Sequence, residues 1–201
     1  TGSKTCYSHD LNRNLQTVRI EGLPAASACP ATAAAYQSYT IPSPAPGSSI
    51  TQRKITTAWH PSLRLQTKQA QPNRISTWVY HGQPDPTEGG QTARCAPEGA
   101  VSVGSEPIAV LCKRVEQATT DASGSLGFAA TAEGSPRLWR YTYNARGQVL
   151  REDGPRTDVD DITTYTYFED SLFDAAGDGH GIGDLASVTD AAGRAATFST
   201  Y

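Results

Sequence analysis

"YTYNARGQVLREDGP", residues 141–155, is the stretch whose reading decides the fold. In Tyr141-Thr142-Tyr143 alternate side chains point to opposite faces of a strand, so both rings fall on one face. Asn144-Ala145-Arg146-Gly147 then reverses the chain. Asn at the first position accepts backbone N–H bonds, and Gly at the fourth takes a positive φ without steric cost. That is the chemistry of a type I turn closing into a bulged hairpin. A second strand follows and stops at Asp153-Gly154-Pro155. "TTYTY" returns at 163–167, with Tyr165 and Tyr167 repeating the spacing of Tyr141 and Tyr143.

The tetrad Asp/Asn-Ala-x-Gly occurs four times, beginning at Asp121, Asn144, Asp174 and Asp190 and ending at Gly124, Gly147, Gly177 and Gly193. Each is expected to close a hairpin. Short runs rich in Thr, Val and Tyr lie between Gly, Pro, Asn and Asp, which is the all-β pattern. Strands are predicted at 15–20, 52–59, 63–70, 74–81, 108–118, 136–143, 148–152, 161–168, 185–189 and 195–201. The best helical candidate, 25–35, is broken by Pro30 and has no apolar stripe. A unit with aromatic residues on one face cannot bury that face alone; stacked units cover one another. The predicted fold is therefore all-β, with repeated antiparallel hairpins forming a curved sheet ribbon.

The chain has 201 residues and a formal net charge of −3, with no basic cluster. Binding to nucleic acid is not expected from such a surface. The longest apolar run, Ile108 to Cys112, is too short to span a bilayer. The 201 residues contain no methionine; the sequence is read as an excised piece of a longer polypeptide, with a final strand that simply stops.

Cys6, Cys29, Cys95 and Cys112 form two close pairs in sequence, neither with the Cys-x-x-Cys spacing of zinc sites. An even count in a loop-rich chain favours two disulfides and an oxidising destination; 6–29 and 95–112 are the favoured pairs of the three possible pairings. Four buried thiols are the alternative. Residues 82–107 form a long irregular excursion, which needs a staple of the kind a 95–112 bridge supplies. Pro42 to Gly47 reads as a stiff extended loop.

At this point the sequence resembles a known family. Tyr141, Tyr143, Asn144, Gly147 and Val149 match the YD repeat of Rhs-family proteins, with Asn144 where the family usually has Asp. Leu185, Val188, Asp190, Gly193, Arg194 and Tyr201 resemble the next unit. Residues 55–82, "ITTAWHPSLRLQTKQAQPNRISTWVYHG", resemble a less regular one. The resemblance divides the chain into a degenerate part (1–50), a repeat-like part (51–81), an irregular insertion (82–107) and YD repeats (108–201). It implies one segment of a sheet that spirals into a hollow β-shell. In the family such shells belong to secreted polymorphic toxins and enclose a C-terminal toxin domain. The implied role is structural and non-catalytic, without cofactor. The implied partners are the rest of the polypeptide's shell, the enclosed toxin and a secretion apparatus, with no nucleic acid and no membrane span. The implied location is secreted or at a bacterial cell surface. Other YD-repeat proteins suggest a different role, adhesion or carbohydrate binding through exposed aromatic residues. Trp59, Trp78, Trp139 and the tyrosines are the candidates for such a platform, but at strand positions they read first as inter-strand packing.

Other chemistry is weakly signalled. Asp158, Asp160, Asp161, Glu169 and Asp170 cluster in sequence, but glycosidic catalysis needs two carboxyls facing across one bond. They read as solvated turns. Asp174, Asp178 and Asp184 in a glycine-rich loop are a weak calcium candidate, without EF-hand spacing. His9, His60, His81 and His180 share no ligand spacing and read as surface or strand positions. No Gly-x-Ser-x-Gly nucleophile motif is present.

Overall fold

The computed structural model describes residues 2–42, 52–102, 104 and 106–199. Most of the proline-rich loop of residues 42–47, and Tyr201, lie outside the described residues. Strand accounts for 47% of the protein and helix for 5%, so the fold is all-β.

The main strands are β1 (Ser3–Asp10), β2 (Leu15–Pro24), β3 (Arg53–Trp59), β4 (Gln66–Gln71), β5 (Arg74–Tyr80), β8 (Leu111–Thr119), β9 (Ala132–Tyr143), β10 (Val149–Asp153), β11 (Ile162–Tyr167), β14 (Leu185–Thr189) and β15 (Ala195–Thr197). They form one open 11-stranded antiparallel sheet in the order β1-β2-β3-β4-β5-β8-β9-β10-β11-β14-β15. Two short hairpins stand apart from it: β6 (Pro84–Asp85) with β7 (Gln91–Thr92), and β12 (Leu172–Phe173) with β13 (Gly179–His180). Consecutive pairing follows from the turns. Gln71 pairs with Arg74, leaving Pro72-Asn73 as a two-residue turn. Proline fixes φ at its first position, and Asn73 takes φ 61° at the second, as a type II turn requires.

The chain divides into two compact units. The first comprises residues 1–78 and 115–136, the second 79–114 and 137–201. In the first, Cys6, Val18, Ile20, Leu23 and Tyr36 form the buried core, with Tyr39 and Ile41 packed against it. This core comes from residues 6–36, where the sequence shows none of the Tyr-x-Tyr and tetrad pattern. β1 was not expected, because "SKTCYSHD" alternates polar residues with small or half-polar ones. Cys6 and Ser8 nevertheless point inward, at 2% and 7% exposure. A short helix, α1 (Ala33–Ser38), supplies Tyr36 to the core; Thr32 caps it by accepting the N–H of Ala35. The helix begins after Pro30, so the proline precedes it rather than breaking it.

Lys54 ties several segments of this unit together. It is 1% exposed, and its Nζ donates to the carbonyls of Gln37 (2.7 Å), Tyr39 (2.9 Å) and Ser125 (2.8 Å). Burial lowers its pKa, and Asp121 opposes that shift. One ammonium thus ties together β3, the end of α1 and the loop at 121–127.

In the second unit the excursion 82–107 is less irregular than its composition implies. It contains the β6–β7 hairpin, closed by Asp85, whose Oδ1 accepts from the N–H and hydroxyl of Thr87.

Candidate functional site

Three of the four tetrads form the same turn. At Asn144, Asp174 and Asp190 the carbonyl of the first residue accepts from the fourth-position glycine, at 3.0, 3.1 and 2.9 Å. The first side chain's oxygen accepts from the N–H groups two and four residues on. Gly147, Gly177 and Gly193 have φ of 82°, 91° and 75°. These turns join β9 to β10, β12 to β13 and β14 to β15. The fourth tetrad departs from the expectation. Asp121 lies in the longer β8–β9 connection, and its carboxylate accepts from Ser123, Gly124 and Leu126. Its loop folds onto β3 instead of closing a tight hairpin: Lys54 N–H donates to the Ser123 carbonyl at 2.9 Å.

Tyrosine rungs connect neighbouring strands of the second unit. The Tyr143 hydroxyl donates to the Leu111 carbonyl on β8 (2.9 Å), and the Tyr167 hydroxyl to the Val149 carbonyl on β10 (3.0 Å). These two residues occupy equivalent repeat positions, and each ties its strand to the preceding neighbour in the sheet. Burial pushes the Tyr143 pKa up to about 12. Burial also raises Tyr141, Tyr165 and Tyr167. All four therefore keep their donor proton at neutral pH. Tyr141 and Tyr165 share one face through Glu152, which pairs with Tyr141 on one side and Thr163 on the other.

The excursion is fastened to β8 at two adjacent residues. Cys95 and Cys112 form one disulfide and Cys6 and Cys29 the other, so both favoured pairs are present and no free cysteine remains. Beside Cys112, Lys113 (6% exposed) donates to Asp85 Oδ2 and Glu88 Oε1, each at 2.5 Å, and to the Thr87 hydroxyl. Burial alone would raise the Asp85 pKa; hydrogen bonds from Lys113 and Thr87 outweigh it and hold the carboxyl below its ordinary range. His81 Nδ1 accepts the N–H groups of Cys95 (3.1 Å) and Ala96 (3.2 Å). His60 does the same for Ser62 and Leu63 in the first unit. His60 caps its own turn, two and three residues on; His81 caps a distant loop, a role with no sequence signature because its partners lie 14 and 15 residues away. The burial of Lys113 has no sequence signal either, since lysine is ordinarily an exposed residue.

The carboxylates and rings are mostly absorbed by local structure. Asp161 accepts from the Arg156 N–H, and Asp158 pairs with Arg156. Asp174 caps its own turn and Asp184 accepts from Gly181 N–H. Among the described residues Asp174, Asp178 and Asp184 do not converge; the one group of three ligand-type side chains that does is His81, Cys95 and Cys112. His180 is buried in β13, stacked on Phe168 at 3.6 Å and 3.2 Å from Asp170 Oδ1. Trp59 donates its indole N–H to the Gln16 carbonyl, and half-buried Trp139 has the guanidinium groups of Arg114 and Arg137 over its ring, at 4.8 and 5.1 Å from the centroid. Among the described residues no helix is long and apolar enough to cross a membrane. Neither protein-family models nor curated proteins match this chain.

Proposed function

We propose that this chain is a non-catalytic wall segment of a YD-repeat β-shell that encloses a C-terminal toxin domain and assists its delivery. The observation that carries the reading is the recurrence of one rung. Tyr143 and Tyr167 each bond back to the preceding neighbour in the sheet, in a unit whose β9–β10 and β14–β15 hairpins are closed by tetrads of the same turn geometry. Such a rule adds strands indefinitely without a second layer, as a wall requires. The open sheet leaves β1 and β15 as edge strands, which further strands of the same polypeptide would cover. Two disulfides fit a secreted or surface destination.

Limited proteolysis of the full-length polypeptide that carries this segment tests the reading. A C-terminal domain protected in the wild type, and digested once Tyr143→Ala and Tyr167→Ala are combined, is the expected result. Equal digestion of both would overturn it. Glycan binding abolished by Trp139→Ala with the fold intact would replace the shell by an adhesion module.

A further inference from the structure

The two disulfides differ in what surrounds them. Around Cys95 and Cys112, the His81 nitrogen and both sulfurs lie within 4.8 Å of one another; among the described residues no such third ligand accompanies Cys6 and Cys29. We propose that His81, Cys95 and Cys112 form a redox-gated zinc(II) site: a disulfide under oxidising conditions, a dithiolate–imidazole metal centre once the pair is reduced.

The geometry and the chemistry agree. Zinc takes thiolate sulfur at about 2.3 Å and imidazole nitrogen at about 2.0–2.1 Å in a tetrahedron, so its ligand atoms sit roughly 3.3–3.8 Å apart. The three ligand atoms already lie within 4.8 Å of one another, so opening the S–S bond and small side-chain rotations bring them to that spacing. The Cα atoms of the pair, 5.3 Å apart, stay on the same two segments. The Nδ1 lone pair already points at the Cys95 backbone. On metal binding the N–H groups of Cys95 and Ala96 pass from that nitrogen to the thiolate sulfurs. A cavity of about 220 Å³ opens beside Cys95 and Cys112 and supplies water as the fourth ligand; Arg94 and Lys113 line it along with Asp85 and Glu88, and the two thiolates offset the charge of the zinc.

The steps balance. Two equivalents of a small thiol reduce the disulfide: the S–S bond breaks, two Cys thiols form and the reductant leaves as its own disulfide. Zinc then binds both sulfurs and the imidazole, releasing two protons to solvent. The excursion 82–107 stays anchored in either state, by a covalent bond outside a cell and by metal in a reducing compartment. This inference rests on the local cluster and stands or falls independently of the shell reading.

The test is metal content after reduction. The chain is reduced, loaded with zinc chloride, freed of excess metal and assayed, in parallel with cobalt(II), whose thiolate charge-transfer band reports sulfur ligation. The expected result is roughly one metal per chain, retained in Cys6→Ser/Cys29→Ser and lost in Cys95→Ser/Cys112→Ser. His81→Ala should weaken binding by at least roughly tenfold, as loss of a ligand or its support does. Zinc should also slow proteolysis within 82–107 in the reduced chain, and a chelator should restore cleavage, which separates a folded site from capture by an unfolded chain. Metal retention unaffected by His81→Ala, equal retention by the two serine double variants, or no retained metal would overturn it.

Discussion

The turn at Asp190 and the loop at Asp121 are built from the same residue types, Asp-Ala-x-Gly, and are held in opposite ways. At Asp190 everything needed lies within the tetrad and the residue after it: the carboxylate accepts from Ala192 and Arg194, and Gly193 would meet nothing within 4 Å if given a Cβ. At Asp121 the same capping occurs, but the loop is pressed onto β3. A Cβ on Gly124 would lie 2.0 Å from the Lys54 carbonyl oxygen. The difference teaches that one motif can be a self-sufficient reversal or one half of a tertiary clasp, and that glycine is required for different reasons in each. In the first it is wanted for its φ alone; in the second, for its φ and its lack of volume.

Substitutions at the two sites should separate these requirements. Gly124→Ala forces a methyl into backbone that cannot move aside, at φ +77°, and should cost roughly 3 kcal/mol or more. Calorimetry checks it, and a loss no greater than that of Gly193→Ala would dissolve the contrast. Lys54→Met fills similar space but leaves the carbonyls of Gln37, Tyr39 and Ser125 without their buried donor; a loss of roughly 2–3 kcal/mol is expected. A neutral effect would show that water replaces the ammonium. Gly147→Ala is intermediate, because the nearest atom, Ile108 Cδ1 at 2.7 Å, belongs to a side chain that can turn away; roughly 1–2 kcal/mol is expected in chemical denaturation. Gly193→Ala should lose only roughly 1 kcal/mol, the strain of a left-handed alanine.

The smallest effect is electrostatic. The Arg194 side chain donates to Asp190 and, with backbone N–H bonds, holds its carboxyl below the ordinary range. A depressed folded pKa contributes stability that is present above the unfolded value, about 3.9, and is lost as pH falls through the folded one. An NMR titration should find the Asp190 midpoint below that of a model peptide. Asp190→Asn should remove the acid sensitivity of this turn while keeping its backbone hydrogen bonds; a normal midpoint in the wild type would count against the Arg194 contact.

The parts of the molecule that could be read in advance are those fixed by near neighbours. Tyr-x-Tyr alternation, the Asn144 and Asp190 turns and the strands between them depend on residues within a few positions of each other, and they lie where their pattern placed them. The pairing of cysteines was also accessible, because few short loops were on offer. The core of Cys6, Val18, Ile20, Leu23 and Tyr36 was not, since β1 carries too weak an alternation to declare itself.

Sequence alone determined that this protein is a ladder of antiparallel hairpins with tyrosines along it, because strand period and turn chemistry are local properties of the backbone. Only the tertiary structure decided which lysines are buried, which histidines cap loops, and that His81 meets Cys95 and Cys112. Those roles are created by segments far apart in the chain coming into contact, and a buried ammonium or imidazole is defined by the carbonyls and N–H groups that fold around it.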